Sequence, residues 1–240
     1  MRLLNNDKAI YIFHSIQHYE QMDNSKIEKK RIWTLGHFNI GLQVNPHYFG
    51  NIKLKEKNNK TKFFLISTKG RNYNYIISSA KKLTNEKLKF EIFVVGHDKT
   101  FSIDSNNTQL NNIFIFNYNV NYSTLYKIVY NSDYIIVNLD PDRDQTFKTQ
   151  RVSGAVQLSY GFLKPVLINN YFKETYNMTE DNSFVFDKKN FYNVMRQAIL
   201  LSNENYNLKR LNLMKLAKDI YDISKFNVQI TLNSLLIEIK

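Results

Sequence analysis

The sequence predicts an α/β fold: a parallel sheet with helices on both faces. Three observations carry that reading. Short apolar runs rich in Ile, Val and Phe recur after residue 60, as FFLIS (63–67), FEIFVVG (90–96), IFIFN (113–117), YIIVN (134–138) and PVLIN (165–169). Helical segments separate most of them, at Tyr73–Leu83, Ser123–Tyr130 and Gly154–Leu163. The runs are continuously apolar, as strands buried on both faces are. Such alternation of strand and helix describes a Rossmann-like sheet. A further strand, FVF (184–186), precedes two or three closing helices. In the last of these Leu208, Leu211, Met214 or Leu216, Ile220 and Ile223 follow helical spacing.

Composition supports a folded chain with a sizeable core. Of 240 residues, 43% are hydrophobic and 14% aromatic, ample for one large domain or one and a half ordinary ones. The chain has no cysteine, which excludes a disulfide framework and Cys-based zinc sites and fits a reducing compartment. No apolar run is long enough to span a bilayer, and MRLLNNDKAIYIF lacks the pattern of a signal peptide. The expected location is cytoplasmic. The formal charge of +12 suits nucleic acid, an anionic membrane face or a phosphorylated substrate. Without an RNA-binding or zinc-finger signature, no nucleic acid partner is expected.

Taken in order, the chain opens with a strand, Lys8–His14, followed by a basic helix over Lys26–Leu35 and a short strand over Ile40–Asn45. The turn NPHYFG (45–50) leads to KLKEKNNKTK (Lys53–Lys62), charged and without periodicity, which reads as an exposed linker. The boundary falls there, giving a short partial α/β segment over 1–60 and the Rossmann-like domain over 61–240.

Ligands of open α/β sheets bind beyond the carboxyl ends of the strands. The loops there are Lys69-Gly70-Arg71, Gly96-His97, Tyr118–Asn121 and Asp140–Ser153. Neither GxGxxG nor GxxxxGK[ST] occurs, which argues against a dinucleotide enzyme or a P-loop NTPase. Ser153-Gly154 opens a helix whose unpaired N–H groups and dipole suit a phosphate, with Arg151 two residues upstream; an ordinary capped crossover helix explains the same residues.

These parts resemble the C-terminal, nucleotide-sugar-binding domain of GT-B fold glycosyltransferases. The resemblance is carried by FFLISTKGRNYNYIISSAKKL, by FEIFVVG, by NIFIFNYNVNYSTLYKIV, and by DYIIVNL followed by SGAVQLSYGFLKPVLI, and covers roughly Lys62–Lys240. It implies that Arg71 and Lys69 hold the donor diphosphate and that the Ser153 and Gly154 amides cap the same phosphates. Tyr118, Asn119 and Val120 then lie against the nucleobase, with Gly96 and His97 at the neighbouring strand end; charge and position add Arg151 to the donor set. Residues 1–60 resemble the end of the acceptor-side domain, most of which is missing, with His14 at a strand end as candidate catalytic base. The implied co-substrate is a UDP- or GDP-sugar, with no metal or other cofactor. The implied acceptor is a glycan or a lipid-linked sugar, which would bring the protein to the inner face of a membrane as a peripheral contact.

Two features depart from the family. Many retaining members carry a Glu-x7-Glu pair near this helix, whereas no Glu lies between Glu91 and Glu174. The short first segment also leaves open a donor-binding remnant or scaffolding subunit without activity. Other residues have plainer explanations. Asp140, Asp142 and Asp144 (DPDRD) contain two DxD patterns but read as a solvated turn around Pro141. His14, His47 and His97 are too dispersed for a metal motif, and a structural, partly buried His14 competes with the catalytic one. Among the aromatics, Tyr118 and Tyr122 are the candidates for stacking on a base.

Overall fold

The computed structural model describes residues 9–21, 27–36, 38, 40–45, 52, 55–96, 101, 103 and 108–237. A small parallel sheet comes first, from β1 (Tyr11–Phe13), β2 (Ile32–Thr34) and β3 (Leu42–Gln43), with helix α1 (Ile16–Glu20) after β1. The basic helix expected over Lys26–Leu35 is not formed: a single 3₁₀ turn at Lys29–Arg31 runs directly into β2. Ile32 is fully buried and Thr34 fully enclosed, so sheet pairing overrides the helical propensity of the lysines. The turn expected at 45–50 lies, beyond Asn45, outside the described residues.

The main sheet is parallel throughout. Its strands are β4 (Thr61–Ile66), β5 (Phe90–Gly96), β6 (Phe114–Tyr118), β7 (Tyr134–Val137), β8 (Val166–Asn169) and β9 (Phe184–Phe186). Helices α2 (Asn74–Asn85), α3 (Thr108–Asn111), α4 (Tyr122–Asn131), α5 (Thr146–Thr149) and α6 (Gly154–Phe162) alternate with them, and α7 (Phe191–Leu200) and α8 (Asn203–Ile237) close the chain. Strand order is β6-β5-β4-β7-β8-β9. Successive side chains of a strand point to opposite faces. Phe63 and Leu65 of β4, with Tyr134 and Ile136 of β7, meet α2, α3 and α7 on one side. Phe64, Ile135 and Val137 meet α4, α6 and α8 on the other. Both faces are covered, so these strands carry no polar alternation.

Helix α8 forms as expected, but in another phase. Its buried residues are Tyr206, Arg210, Leu213, Ala217, Ser224 and Thr231, whereas Leu208, Leu211 and Ile223 are exposed. Polar residues sit in the buried stripe because each finds a partner. Arg210 Nε donates to the Leu163 carbonyl at 3.0 Å and Nη1 to the Lys55 carbonyl at 2.7 Å. Ser224 Oγ accepts the Asn45 N–H at 2.8 Å, and Thr231 Oγ1 accepts Trp33 Nε1–H at 2.9 Å while donating to the Lys30 carbonyl at 2.7 Å. Asn227 Nδ2 donates to the Gln43 carbonyl at 2.7 Å. The distal half of α8 therefore carries the small sheet. No helix among the described residues is long and apolar enough to cross a membrane.

The stretch read as an exposed linker is tethered over its described residues, 55–62. Asp133, 1% exposed, takes the Asn58 amide on Oδ1 at 3.0 Å and the Lys62 amide on Oδ2 at 2.7 Å, while Lys57 Nζ donates to the Leu201 carbonyl at 3.0 Å. Beside this knot Lys164, 3% exposed, donates to the Tyr130 carbonyl at 2.9 Å. Burial, then the nearby Arg210 guanidinium, push its ammonium down to about 7 from 10.5, against the pull of Asp133. Between these values the unfolded chain binds a proton that the folded chain lacks, so stability rises with pH. The expected slope from pH 7 to 10 is about 1.4 kcal/mol per pH unit from this one group, and Lys164→Met should remove it. Urea unfolding of both proteins across that range would show two parallel profiles if the ammonium were not so perturbed.

Candidate functional site

Because β4 sits in the middle and the chain crosses back to lay β7 beside it, the loops leaving these two strands diverge and open a crevice at their carboxyl ends. Two adjoining cavities occupy this edge, sharing Thr68 and Lys69. The larger, about 640 Å³, lies over the ends of β4, β5 and β6. Its wall is mainly apolar, from Ile66, Val95, Val120 and Leu125, with Gly96, Asn119, Asn121 and the 76% exposed Tyr122 at its margins. Gly96 packs closely there: a Cβ would lie 3.0 Å from the Ser67 Cβ and 3.1 Å from the Ser67 carbonyl oxygen. Asn119, with φ +52°, turns the chain at the end of β6, and its N–H donates to the Gly96 carbonyl at 2.9 Å. Asn121 then caps α4, Oδ1 accepting the Thr124 N–H at 2.8 Å.

The smaller cavity, about 260 Å³, lies between the β4 and β7 loops and is lined by Lys69, Gly70, Arg71, Asp140, Arg143, Asp144, Phe147 and Arg151, besides Thr68. The β4 loop is closed on itself by Tyr73, whose Oη accepts the Thr68 N–H at 2.7 Å and donates to the Thr68 carbonyl at 3.0 Å. Gly70 takes φ +79°, which turns Arg71 back over the sheet. Arg71 Nη1 donates to the Asn138 carbonyl at the end of β7 and to Asp144 Oδ2 at 2.9 Å. Its guanidinium lies 5.5 Å from the Phe147 ring centroid, and that of Arg151 lies 4.9 Å from the same ring. Two cations from distant positions are thus gathered about one phenyl ring.

The DPDRD stretch is an ion-paired turn. Asp140 Oδ1 accepts the Asp142 N–H at 3.0 Å and faces Lys188 Nζ at 2.9 Å. Asp142 reaches the same ammonium at 3.4 Å, and Asp144 turns the other way to Arg71. The three carboxylates do not converge, and no group of metal-ligating side chains occurs among the described residues. Burial works to raise the Asp140 carboxyl, but the Lys188 ammonium and the Asp142 amide hold it below the ordinary carboxylate value.

The expected donor residues therefore divide. Lys69, Arg71 and Arg151 meet in the cationic cavity, and Gly96, Asn119 and Val120 meet with Lys69 in the apolar one. Tyr118 lines neither: its hydroxyl donates to the Phe101 carbonyl at 2.8 Å and its ring stacks on Phe116, centroids 5.8 Å apart. Ser153 is buried, and its N–H is already donated to Tyr176 Oη at 3.2 Å, so that amide is not on offer to a phosphate. Gly154 is exposed with open space around it. His97 lies outside the described residues. His14 directly follows β1 and is exposed, edge-on to His18 at 5.2 Å, not packed in a core. Its neighbour Ser15 bridges to Arg151, and Ile16 N–H donates to the Gln150 carbonyl at 2.9 Å, which brings this strand end alongside the cationic cavity.

The backbone matches solved structures. Staphylococcus aureus TarM superposes over 95% of this chain and 44% of its own, with TM-score 0.56 and 10% identity. A glycosyltransferase from Rickettsia africae ESF-5 matches over 98% of this chain and 68% of its own, with TM-score 0.54 and 14% identity. The fold is that of GT-B glycosyltransferases. The pneumococcal O-GlcNAc transferase GtfA, solved with UDP and GlcNAc, matches over 95% of this chain and 45% of its own, with TM-score 0.54 and 11% identity. This chain spans less than half the length of TarM and GtfA. No protein-family model matches the sequence, and no curated protein does.

Sequence reading missed two residues of this GT-B crevice, Phe147 and Tyr176, and took Asp144, the partner of Arg71, for part of a solvated turn. Tyr176 Oη accepts the Ser153 N–H and donates to the Phe147 carbonyl at 3.1 Å, while Tyr160 Oη donates to the Tyr176 carbonyl at 2.8 Å. One hydroxyl thus ties the helix bearing Phe147 to the start of α6. Tyr176 is 3% exposed, so Tyr176→Phe strands a buried amide and should cost about 1–3 kcal/mol. An unfolding free energy within 0.5 kcal/mol of wild type would show that the tie carries little energy.

Proposed function

We propose that the chain binds the nucleoside diphosphate part of a UDP-sugar across the two cavities and transfers the sugar to a glycan or lipid-linked acceptor. The observation that carries the reading is the adjoining pair itself: an apolar compartment and a cationic one, joined at Lys69, at the switch point of a GT-B sheet. A nucleoside has an apolar face with a few polar edges, and a diphosphate has concentrated negative charge. Lys69, Arg71, Arg143 and Arg151 match the second, and positive charge there stabilises the charge that develops as the diphosphate leaves. Asp140 and Asp144 line the same cavity, which leaves a surplus of positive charge among its described residues. Among the described residues no carboxylate lines the apolar cavity to receive the paired N–H donors of guanine, and uracil, with one N–H and two carbonyls to satisfy, suits those residues better.

In the transfer, an acceptor hydroxyl loses its proton as its oxygen bonds to the anomeric carbon, and the bond from that carbon to the diphosphate oxygen breaks. Asp140 and Asp144 in the cationic cavity are held by Lys188 and Arg71. The exposed His14, beside Arg151 through the Ser15 bridge, is the better proton acceptor.

A second reading has one specific observation in its favour. The Arg71 guanidinium is already neutralised by Asp144, and the Ser153 amide is already bonded, as suits a nucleotide-binding or scaffolding protein without turnover.

Titration of UDP and GDP, followed by thermal unfolding, tests the proposal. UDP at 100 times its Kd should add about 2.7 kcal/mol of stability, GDP less, and Arg71→Ala should abolish the gain. No shift with either nucleotide at millimolar concentration would refute the donor site. UDP-sugar turnover should survive EDTA and fall at least a hundredfold in His14→Ala. Nucleotide binding with no turnover in any acceptor mixture would favour the scaffold.

A further inference from the structure

The cationic cavity also holds an anion of the chain's own. Asp144 Oδ2 lies 2.9 Å from Arg71 Nη1, and both residues line the space. The two side chains are 17% and 15% exposed, so this is not one of the solvent-screened surface pairs that contribute little. A diphosphate entering the cavity meets a cation that a carboxylate already occupies.

The geometry of that hold suits exchange. Asp144 takes a single nitrogen of the guanidinium, Nη1, which is shared with the Asn138 carbonyl, while Nε and Nη2 have no protein acceptor among the described residues. A phosphate offered the planar fork forms two parallel bonds and outcompetes one. Asp144 keeps partners when it lets go. The same Oδ2 accepts the Asp140 N–H at 2.8 Å, and the Asp144 N–H is donated to the Asp140 carbonyl at 2.7 Å, so the 140–144 turn is closed by its own bonds. On its outer side Lys188 Nζ lies 2.9 Å from Asp140 Oδ1 and 3.4 Å from Asp142 Oδ2. The turn therefore stays fastened to the loop after β9 when Arg71 leaves it.

Sugar transfer leaves the diphosphate with one more negative charge than the donor carried. Lys69, Arg71, Arg143 and Arg151 alone would hold that product more firmly than the donor and slow its departure. A carboxylate in the same cavity repels the product and competes for one of its cations. We propose that Asp144 is an intramolecular competitor for the diphosphate: it holds Arg71 while the cavity is empty, yields it to the ligand and reclaims it to speed release. The proposal rests on reading this cavity as a diphosphate site, and it adds how that site lets go.

Stopped-flow and calorimetric titration of wild type, Asp144→Asn and Asp142→Asn with inorganic pyrophosphate and UDP tests it. Asp144→Asn removes the charge and keeps an oxygen for the Asp140 N–H, and Asp144→Ser is the second variant should the first not fold. Asp142, 85% exposed, controls for the general field. An enclosed charge contact acts on dissociation, whereas a peripheral charge acts on association. Asp144→Asn should bind both ligands at least tenfold tighter, through slower dissociation, while Asp142→Asn stays within twofold of wild type. Tighter pyrophosphate binding in a protein that binds UDP no better than pyrophosphate would keep the competitor and remove the nucleoside compartment. Unchanged or weaker affinity in Asp144→Asn would overturn the proposal and leave the donor site standing if UDP still binds wild type. A gain confined to association and shared by Asp142→Asn would overturn it too. Binding of neither ligand to any variant at millimolar concentration would remove both the donor site and the competitor.

Discussion

The pairing of β4 with β7 is the constraint from which the rest follows. The chain lays β4 down, spends two strands building outward on one side, then crosses to build three more on the other. Both central strands are sealed between two helical layers, so their register is held by Phe63, Phe64 and Leu65 against Tyr134, Ile135 and Ile136. The loops leaving their carboxyl ends must part company there. What the sheet builds is therefore a fixed gap, and the chemistry of the gap is left to loop residues that need not hold the fold together.

The two ends of the sheet handle charge in opposite ways. At the amino end Asp133, Lys164 and Arg210 are enclosed, and each is spent on a carbonyl or an amide of the chain itself. Those bonds fasten the incoming segment and the base of α8. At the carboxyl end Lys69, Arg71, Arg143 and Arg151 border open cavities, and Arg71 is shared between protein and crevice. Of the 33 Lys and Arg in the chain, Lys164 and Arg210 thus face inward as structural groups, while Lys69, Arg71, Arg143 and Arg151 cluster about a site.

Much of the main domain was legible because a strand buried on both faces leaves an unbroken apolar run, and that is hard to mistake over VLIN or YIIV. The phase of α8 was not, since Arg210, Ser224 and Thr231 look like surface residues until their partners on other segments are known. The lysines around Lys29 read as helical because nothing local announces the pairing of Ile32 and Thr34 with β1. In the crevice, position after a strand was enough to pick out Lys69, Arg71 and Asn119. The placing of Phe147 between two guanidinium groups was beyond such reading, because Arg71 and Arg151 lie 80 positions apart and meet only through the sheet. Ser153 misled for the same reason: its amide is claimed by a tyrosine 23 residues downstream.

Helix α8 has a mechanical consequence. At 35 residues it is about 52 Å long. Its first half is rooted in the main core through Leu213 and Ala217, and its second half carries the small sheet on Ser224, Asn227 and Thr231. It works as a splint across the join. Swinging the small sheet away from the crevice means flexing a stiff rod or breaking those hydrogen bonds, and parting Ser15 from Arg151 as well. The gap between β1 and the cationic cavity is thereby held twice, by the Ser15–Arg151 bridge and by a helix none of whose described residues lines that cavity.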